Sequence, residues 1–305
     1  IFPLNKPHPV SGHMGPLILG HEFIGEIVEL GTGVTGWALG DRAASGAGIS
    51  CGLCPRCLEG RTNLCQQYVT HGLNRHGGMA EFVAVPISTL VALPKGLSDD
   101  RAGLAQPLAV GLHAARRAGV KSGDTLVLIG AGAIGTFVLA GLKHLYNAKV
   151  IVVDFAGERL DRAARLGADK IVAVDEDTDA NVRAALGVLG ADVVIEASGA
   201  PGQIDRGASW LRQGGTLLQV GFPSKPQEIN IHYIVMSEIT MQTTLAHVCG
   251  QDIPPALEIL SSTRLADELL EGVFPLTDLV AQLDRLATGQ IQGKVLFDPQ
   301  TPSQA

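Results

Sequence analysis

Four of the five cysteines in this 305-residue chain fall in one short stretch, at Cys51, Cys54, Cys57 and Cys65. Three are spaced three apart and the fourth follows eight later. Such close spacing in a long chain without a signal peptide favours a metal site over a disulfide framework. Four thiolates can wrap one tetrahedral ion and leave no position open for a substrate, the pattern of a structural zinc lobe. An iron–sulfur cluster uses similar ligands, but nothing else in the chain suggests electron transfer. Cys249 stands apart and reads as a buried small apolar residue.

A second constellation is Gly130, Gly132 and Gly135, in the run GAGAIG that includes Ile134. Alone, GxGxxG is a weak signal. Here it follows an apolar strand, opens a helix, and leads to a second strand ending in Asp154. In such a turn the first glycine makes the bend, the second admits a pyrophosphate, and the third lets helix pack on strand. The helix N-terminus then faces the phosphate charge. Asp154 can accept hydrogen bonds from the adenosine ribose hydroxyls, and its charge would repel a 2′-phosphate, so NAD is expected rather than NADP. Arg159 reads equally as a cover for the adenine or as an exposed helix arginine.

The third is Gly20-His21-Glu22. A lone His is more often a satisfied structural residue than a ligand, and a lone Glu is usually solvated. From these residues alone both readings stay open.

The elements that must position these groups change character along the chain. Residues 17–93 read as β-rich, with 23–30 and 79–86 as alternating apolar strands between glycine turns. From about 107 to 249, strands at 125–130, 149–154, 170–174, 192–197, 216–221 and 239–245 alternate with helical patterns at 134–145, 158–167, 181–190 and 204–214. Near-continuous apolar strands between helices predict a parallel sheet covered on both faces, and six of them fit two mononucleotide-binding halves. Helices at 255–262 and 276–289, a strand at 294–297 and a polar tail at 299–305, which reads as frayed, complete the chain.

Composition excludes other classes. Charged residues are 17% and apolar ones 46%, so disorder is not the general description. Net charge is −7 with no basic stripe, and aromatics are only 4%, which excludes nucleic acid as the expected partner. Mean hydropathy is +0.24, and residues 125–142 carry no charge, long enough to raise a membrane span. The glycines in the middle of that stretch favour strand, turn and helix instead. With no signal-peptide pattern, a cytoplasmic protein is expected.

Together these residues resemble the zinc-dependent medium-chain dehydrogenase/reductase family. That signature is GHE, two residues, Gly, five residues, Gly, and it is met by Gly20-His21-Glu22, Gly25 and Gly31. The lobe matches through Cys51, Cys54, Cys57, Gly60 and Cys65. The stretches at 77–83, 107–114 and 196–199 are also similar, and the likeness runs from about residue 2 to 298. Residues 6–12 resemble the butanediol dehydrogenases, within a wider likeness to the polyol group that includes sorbitol dehydrogenases.

The resemblance implies an α/β fold: a Rossmann doubly wound sheet at 107–249, a β-rich GroES-like catalytic domain at 1–106, and a return to that domain at 250–305. It implies a catalytic zinc that polarises an alcohol for hydride transfer to NAD, with His21 and Glu22 as ligands. It also implies a homo-oligomer, dimer or tetramer, paired through the edge strand 239–245. Two departures stand out. The family's first zinc ligand is a Cys upstream of GHE, and this chain starts after that point with Ile1, as expected of part of a longer protein. Where the family carries a Glu before PLAV, this chain has Gln106, which can hydrogen-bond a zinc water but cannot take its proton. The alternatives are a zinc-independent quinone-type reductase, which the cysteine lobe and GHE oppose, and an NAD-binding relative without the catalytic metal.

Overall fold

The computed structural model describes residues 5–146 and 148–301. They form two compact units. One comprises residues up to 109 together with those from 246 on, and the other is Val110–Leu245. Of the tail 299–305, the last four positions lie outside the described residues, as does Ile1.

The unit Val110–Leu245 is built on a six-stranded sheet. Its strands are β1 (Thr125–Ile129), β2 (Lys149–Asp154), β3 (Lys170–Ala173), β4 (Ala191–Glu196), β5 (Leu211–Gln219) and β6 (Thr240–Thr243). All pair in parallel, in the spatial order β6-β5-β4-β1-β2-β3. The order reverses between β1 and β4, where a doubly wound sheet opens a crevice at the carboxyl ends of its strands.

Alternation along the strands explains why both faces are covered. Leu126, Leu128, Val150, Val152, Val193 and Ile195 face a core completed by Val138, Leu139 and Leu142 of α1 (Ala133–Leu145) and Leu160 of α2 (Glu158–Arg165). Val127, Ile129, Ile151, Val153 and Val194 face the other way. There they meet Val182 of α3 (Thr178–Leu186), Trp210 of α4 (Gln203–Trp210) and Ile234 of α5 (Ile231–Met236). Each such side chain contributes roughly 1.5–3 kcal/mol on burial, so the sheet is a rigid floor for the loops at its edge. The charge-free stretch 125–142 is β1, a turn and most of α1. Among the described residues no helix is long and apolar enough to cross a membrane. The helix expected at 181–190 stops at Leu186, because Gly187 takes a positive φ of 74° and leaves Val188 and Leu189 exposed.

The other unit holds small sheets. Ile24–Glu26, Arg42–Ser45 and Leu90–Ala92 form an antiparallel sheet of three strands, and Gly48–Ile49 pairs with Val69–Thr70. Leu270–Pro275 pairs in parallel with Lys294–Asp298. The strand expected at 79–86 does not form. Pro86 O accepts from Thr89 N–H in a turn, and Met79 N–H donates to Leu19 O, following Gly77 and Gly78, whose N–H groups donate to Ile18 O and Gly20 O. An alternating stretch becomes a strand only where a neighbour takes its backbone bonds, and Phe82 beyond this tie is exposed.

Candidate cofactor and metal sites

The four cysteines converge. Cys51 and Cys57 place their Sγ atoms 4.0 Å apart, Cys54 and Cys57 3.6 Å, and Cys54 and Cys65 3.9 Å. All four lie within 4.8 Å of one another. A tetrahedral ion with metal–sulfur bonds of about 2.3 Å would set its sulfurs about 3.8 Å apart, so the donor set fits zinc without rearrangement. A one-turn helix, Pro55–Leu58, carries Cys57, and its proline suits a first turn whose N–H has no helical partner.

Backbone N–H groups surround the sulfurs. Cys51 N–H donates to Cys65 Sγ at 3.2 Å, Cys54 N–H to Cys51 Sγ at 3.3 Å, and Gln67 N–H to Cys65 Sγ at 3.3 Å. The N–H groups of Gln66 and Cys57 bring the Cys54 thiol down to about 6. Burial and the neighbouring thiols push Cys57 up to about 11. One sulfur ionises readily and the next resists, as expected of crowded like charges. A dication at the centre removes that resistance.

The turn 130–135 shows three separate reasons for its glycines. Gly130 has φ +95°, and its N–H donates to Val153 O at 2.8 Å. A Cβ on Gly135 would lie 1.8 Å from Gly130 O, so helix and strand meet with no room for a side chain. Gly132 has an ordinary φ of −63°, and a Cβ there would meet nothing within 4 Å. Its backbone borders open space at the start of α1, whose cap supplies no side-chain hydrogen bond. That is a cradle for an anion. Ile134, in the first turn of α1, packs on the core below.

Asp154 ends β2 beside this turn and is buried. Its Oδ2 accepts from Ala131 N–H at 2.6 Å and its Oδ1 from Phe155 N–H at 2.7 Å. The carboxylate therefore holds the glycine turn in place, and each oxygen keeps a further lone pair for a ligand. Arg159 is half-buried in the first turn of α2. Glu196, which sequence reasoning passed over, ends β4 with no exposure at all. Its signal was the acid closing an apolar strand just before Ser198-Gly199.

In the other unit, Gly20 has φ +91° and is hemmed in by backbone. A Cβ on Gly77 would lie 2.0 Å from Gly20 O, and one on Gly72 2.7 Å from Gly20 N. This close packing sets the direction in which His21 and Glu22 leave the chain. Both are half-buried, and Glu22 forms an ion pair with Lys294. Gln106 is buried in the first turn of the helix Ala105–Arg117. Among the described residues, the four cysteines are the one group of three or more His, Cys, Asp or Glu side chains able to share an ion. Among the described residues, His21 and Glu22 belong to no such group. A groove of 790 Å³ in this unit is lined by Ser11, His13, Cys51, Arg75, His76 and Phe82 among others, and not by His21, Glu22 or Gln106.

A doubly wound nucleotide-binding unit and a four-thiol metal lobe in one chain define the class. Comparison with known proteins narrows it. The alcohol dehydrogenase GroES-like domain model matches residues 5–95, and the zinc-binding dehydrogenase model matches 133–262. L-threonine 3-dehydrogenase of Colwellia psychrerythraea is 30% identical over 284 residues, covering 93% of this chain and 83% of that protein. The structure of 2R,3R-butanediol dehydrogenase from Bacillus subtilis superposes with a TM-score of 0.88 at 31% identity, covering 98% of this chain and 86% of that one. A short chain alcohol dehydrogenase from E. coli, complexed with its cofactor NADH, gives 0.85 at 26% identity, covering 92% and 84%. The chain belongs to the zinc-dependent medium-chain dehydrogenase/reductase family, the alcohol dehydrogenase family.

Proposed function

We propose that this chain is an NAD-dependent dehydrogenase that oxidises a secondary alcohol, diol or polyol. The observation that carries the reading is the turn 130–135 at the reversal of strand order, with open space at Gly132 and Asp154 on the next strand. Gly132 admits the pyrophosphate, and the N–H groups of Ala133, Ile134 and Gly135 face its charge. Asp154 takes the ribose hydroxyls and repels a 2′-phosphate. Arg159 covers the adenine.

Cys51, Cys54, Cys57 and Cys65 hold a structural zinc. His21 and Glu22 are assigned as donors to a second, catalytic zinc, which when bound would act as a Lewis acid on the substrate hydroxyl. The described residues leave that shell incomplete, since a tight site takes three protein donors. Gln106 can hydrogen-bond a hydroxyl or water but cannot accept its proton. Threonine and 2,3-butanediol, in the names of similar proteins, share a CH3–CH(OH) group beside a second carbon bearing a heteroatom. A secondary carbinol next to such a carbon is therefore the substrate class assigned here. The free edge of β6 is assigned to pairing with a second copy.

A second reading, an NAD-binding relative without a catalytic zinc, is favoured by the ion pair that Lys294 makes with Glu22. The test is NAD reduction with 2,3-butanediol, sorbitol and L-threonine, alongside NADH binding and zinc analysis. Turnover of any of the three supports the first reading. NADH binding without turnover, even when free zinc is supplied, supports the second. No NADH binding overturns both.

A further inference from the structure

The Glu196 carboxylate lies wholly inside the protein and meets only donors. Its Oε1 accepts from Ser198 N–H at 2.7 Å, from Gly199 N–H at 3.0 Å, and from the Ser198 hydroxyl. Its Oε2 accepts from Gly199 N–H at 3.0 Å and from Gln219 Nε2 at 2.6 Å, and Gln219 Nε2 also donates to Gly221 O at 2.7 Å. The Glu196 main-chain carbonyl takes the N–H groups of Val220 and Gly221 at 2.8 and 2.9 Å. One residue thus fastens both the loop after β4 and the loop after β5.

The two loops are packed to contact. A Cβ on Gly221 would lie 2.2 Å from Gly199 N and 2.6 Å from Glu196 Oε2. A Cβ on Gly130 would lie 2.9 Å from Ser198 N, so the fastened loop also abuts the glycine turn. In a doubly wound sheet the two halves of a dinucleotide lie on opposite sides of the order reversal. Asp154, on β2, stands on the adenosine side. The β4 and β5 loops stand on the other.

We infer that Glu196 is a positioning residue for the nicotinamide half of the cofactor: its buried carboxylate sets the β4 and β5 loops at the crevice edge, without itself touching the ligand. The inference rests on the NAD reading above. The N–H groups of Ser198 and Gly199 can only donate, so the NH2 of Glu196→Gln could be matched only if Gln219 turned its amide over and gave up Gly221 O, and the fastening of the two loops would loosen although size and shape are kept.

The test measures binding of NADH and of ADP-ribose, which lacks the nicotinamide ring, to the wild type, Glu196→Gln and Ser198→Ala, together with thermal melting. Glu196→Gln should weaken NADH on the order of tenfold and leave ADP-ribose within about twofold. Ser198→Ala, which removes one donor and keeps the carboxylate, should give a smaller loss in the same direction and keeps the test usable if Glu196→Gln fails to fold. Equal losses for the two ligands, or NADH binding unchanged in both variants, would overturn the positioning role while leaving the NAD reading intact. A wild type that binds neither ligand would overturn the NAD reading itself, and this inference with it.

Discussion

Lys294 donates to the Glu22 carboxylate across 272 positions of sequence. The final strand of the chain, Lys294–Asp298, thus places an ammonium on the acid of the GHE signature. Both side chains are partly buried, so the pair lies between the weak exposed case and the strong buried one. Lys294→Met should lower stability by about 1–2 kcal/mol. Changing Glu22 to Gln as well should recover part of that loss, because no uncompensated carboxylate is left. Urea unfolding of the two single variants and the double variant checks the cycle, and simple additivity would mean the pair is not coupled.

Cys57→Ser should release the lobe zinc and lower the melting temperature by on the order of 5–10 °C, since folding of the lobe is linked to the metal. The 305-residue chain itself should hold about one zinc firmly, because the described residues close only one four-donor shell. Elemental analysis after dialysis against a mild chelator reads both. Two tightly held zincs in the wild type would show that His21 and Glu22 share a third donor.

NADH should bind more tightly than NADPH, on the order of tenfold, because the Asp154 charge meets the 2′-phosphate. Asp154→Ser should narrow that ratio. It should also cost stability, because Asp154 Oδ2 holds the Ala131 N–H in the glycine turn. Fluorescence titration with both nucleotides, together with melting, separates the two effects. A preference for NADPH in the wild type would refute the role given to Asp154.

Burial alone would raise the Asp192 carboxyl, but the Arg212 guanidinium and the Thr125 N–H outweigh it and hold the group below its ordinary value. A depressed folded value means that the stabilisation is complete above the unfolded value, about 3.9, and is lost as pH falls through the lower folded one. Asp192→Asn should therefore lose stability at pH 7 and show a smaller further drop between about pH 4 and pH 2.5. Urea midpoints across that range check the sign. An unchanged acid slope would mean that Asp192 is not one of the groups responsible.

What the sequence determined by itself is local in origin. Strand–turn–helix at 125–145 follows from apolar alternation and three glycines. The cysteine spacing brings four sulfurs within 4.8 Å of one another because a short loop and a single helical turn can span no more. Tertiary structure alone decided the rest. Whether 79–86 became a strand depended on a neighbour strand to take its backbone bonds, and within it Met79 alone bonds to the 18–20 segment. Asp154 reads as a ribose ligand in the sequence, yet it also pins Ala131, a contact made only when two adjacent strands are brought into register. Glu196 looks like a charge misplaced at the end of an apolar strand. It becomes intelligible once the β4 and β5 loops surround it with donors, because the cost of burying a carboxylate is met only by groups that the fold assembles from separate parts of the chain.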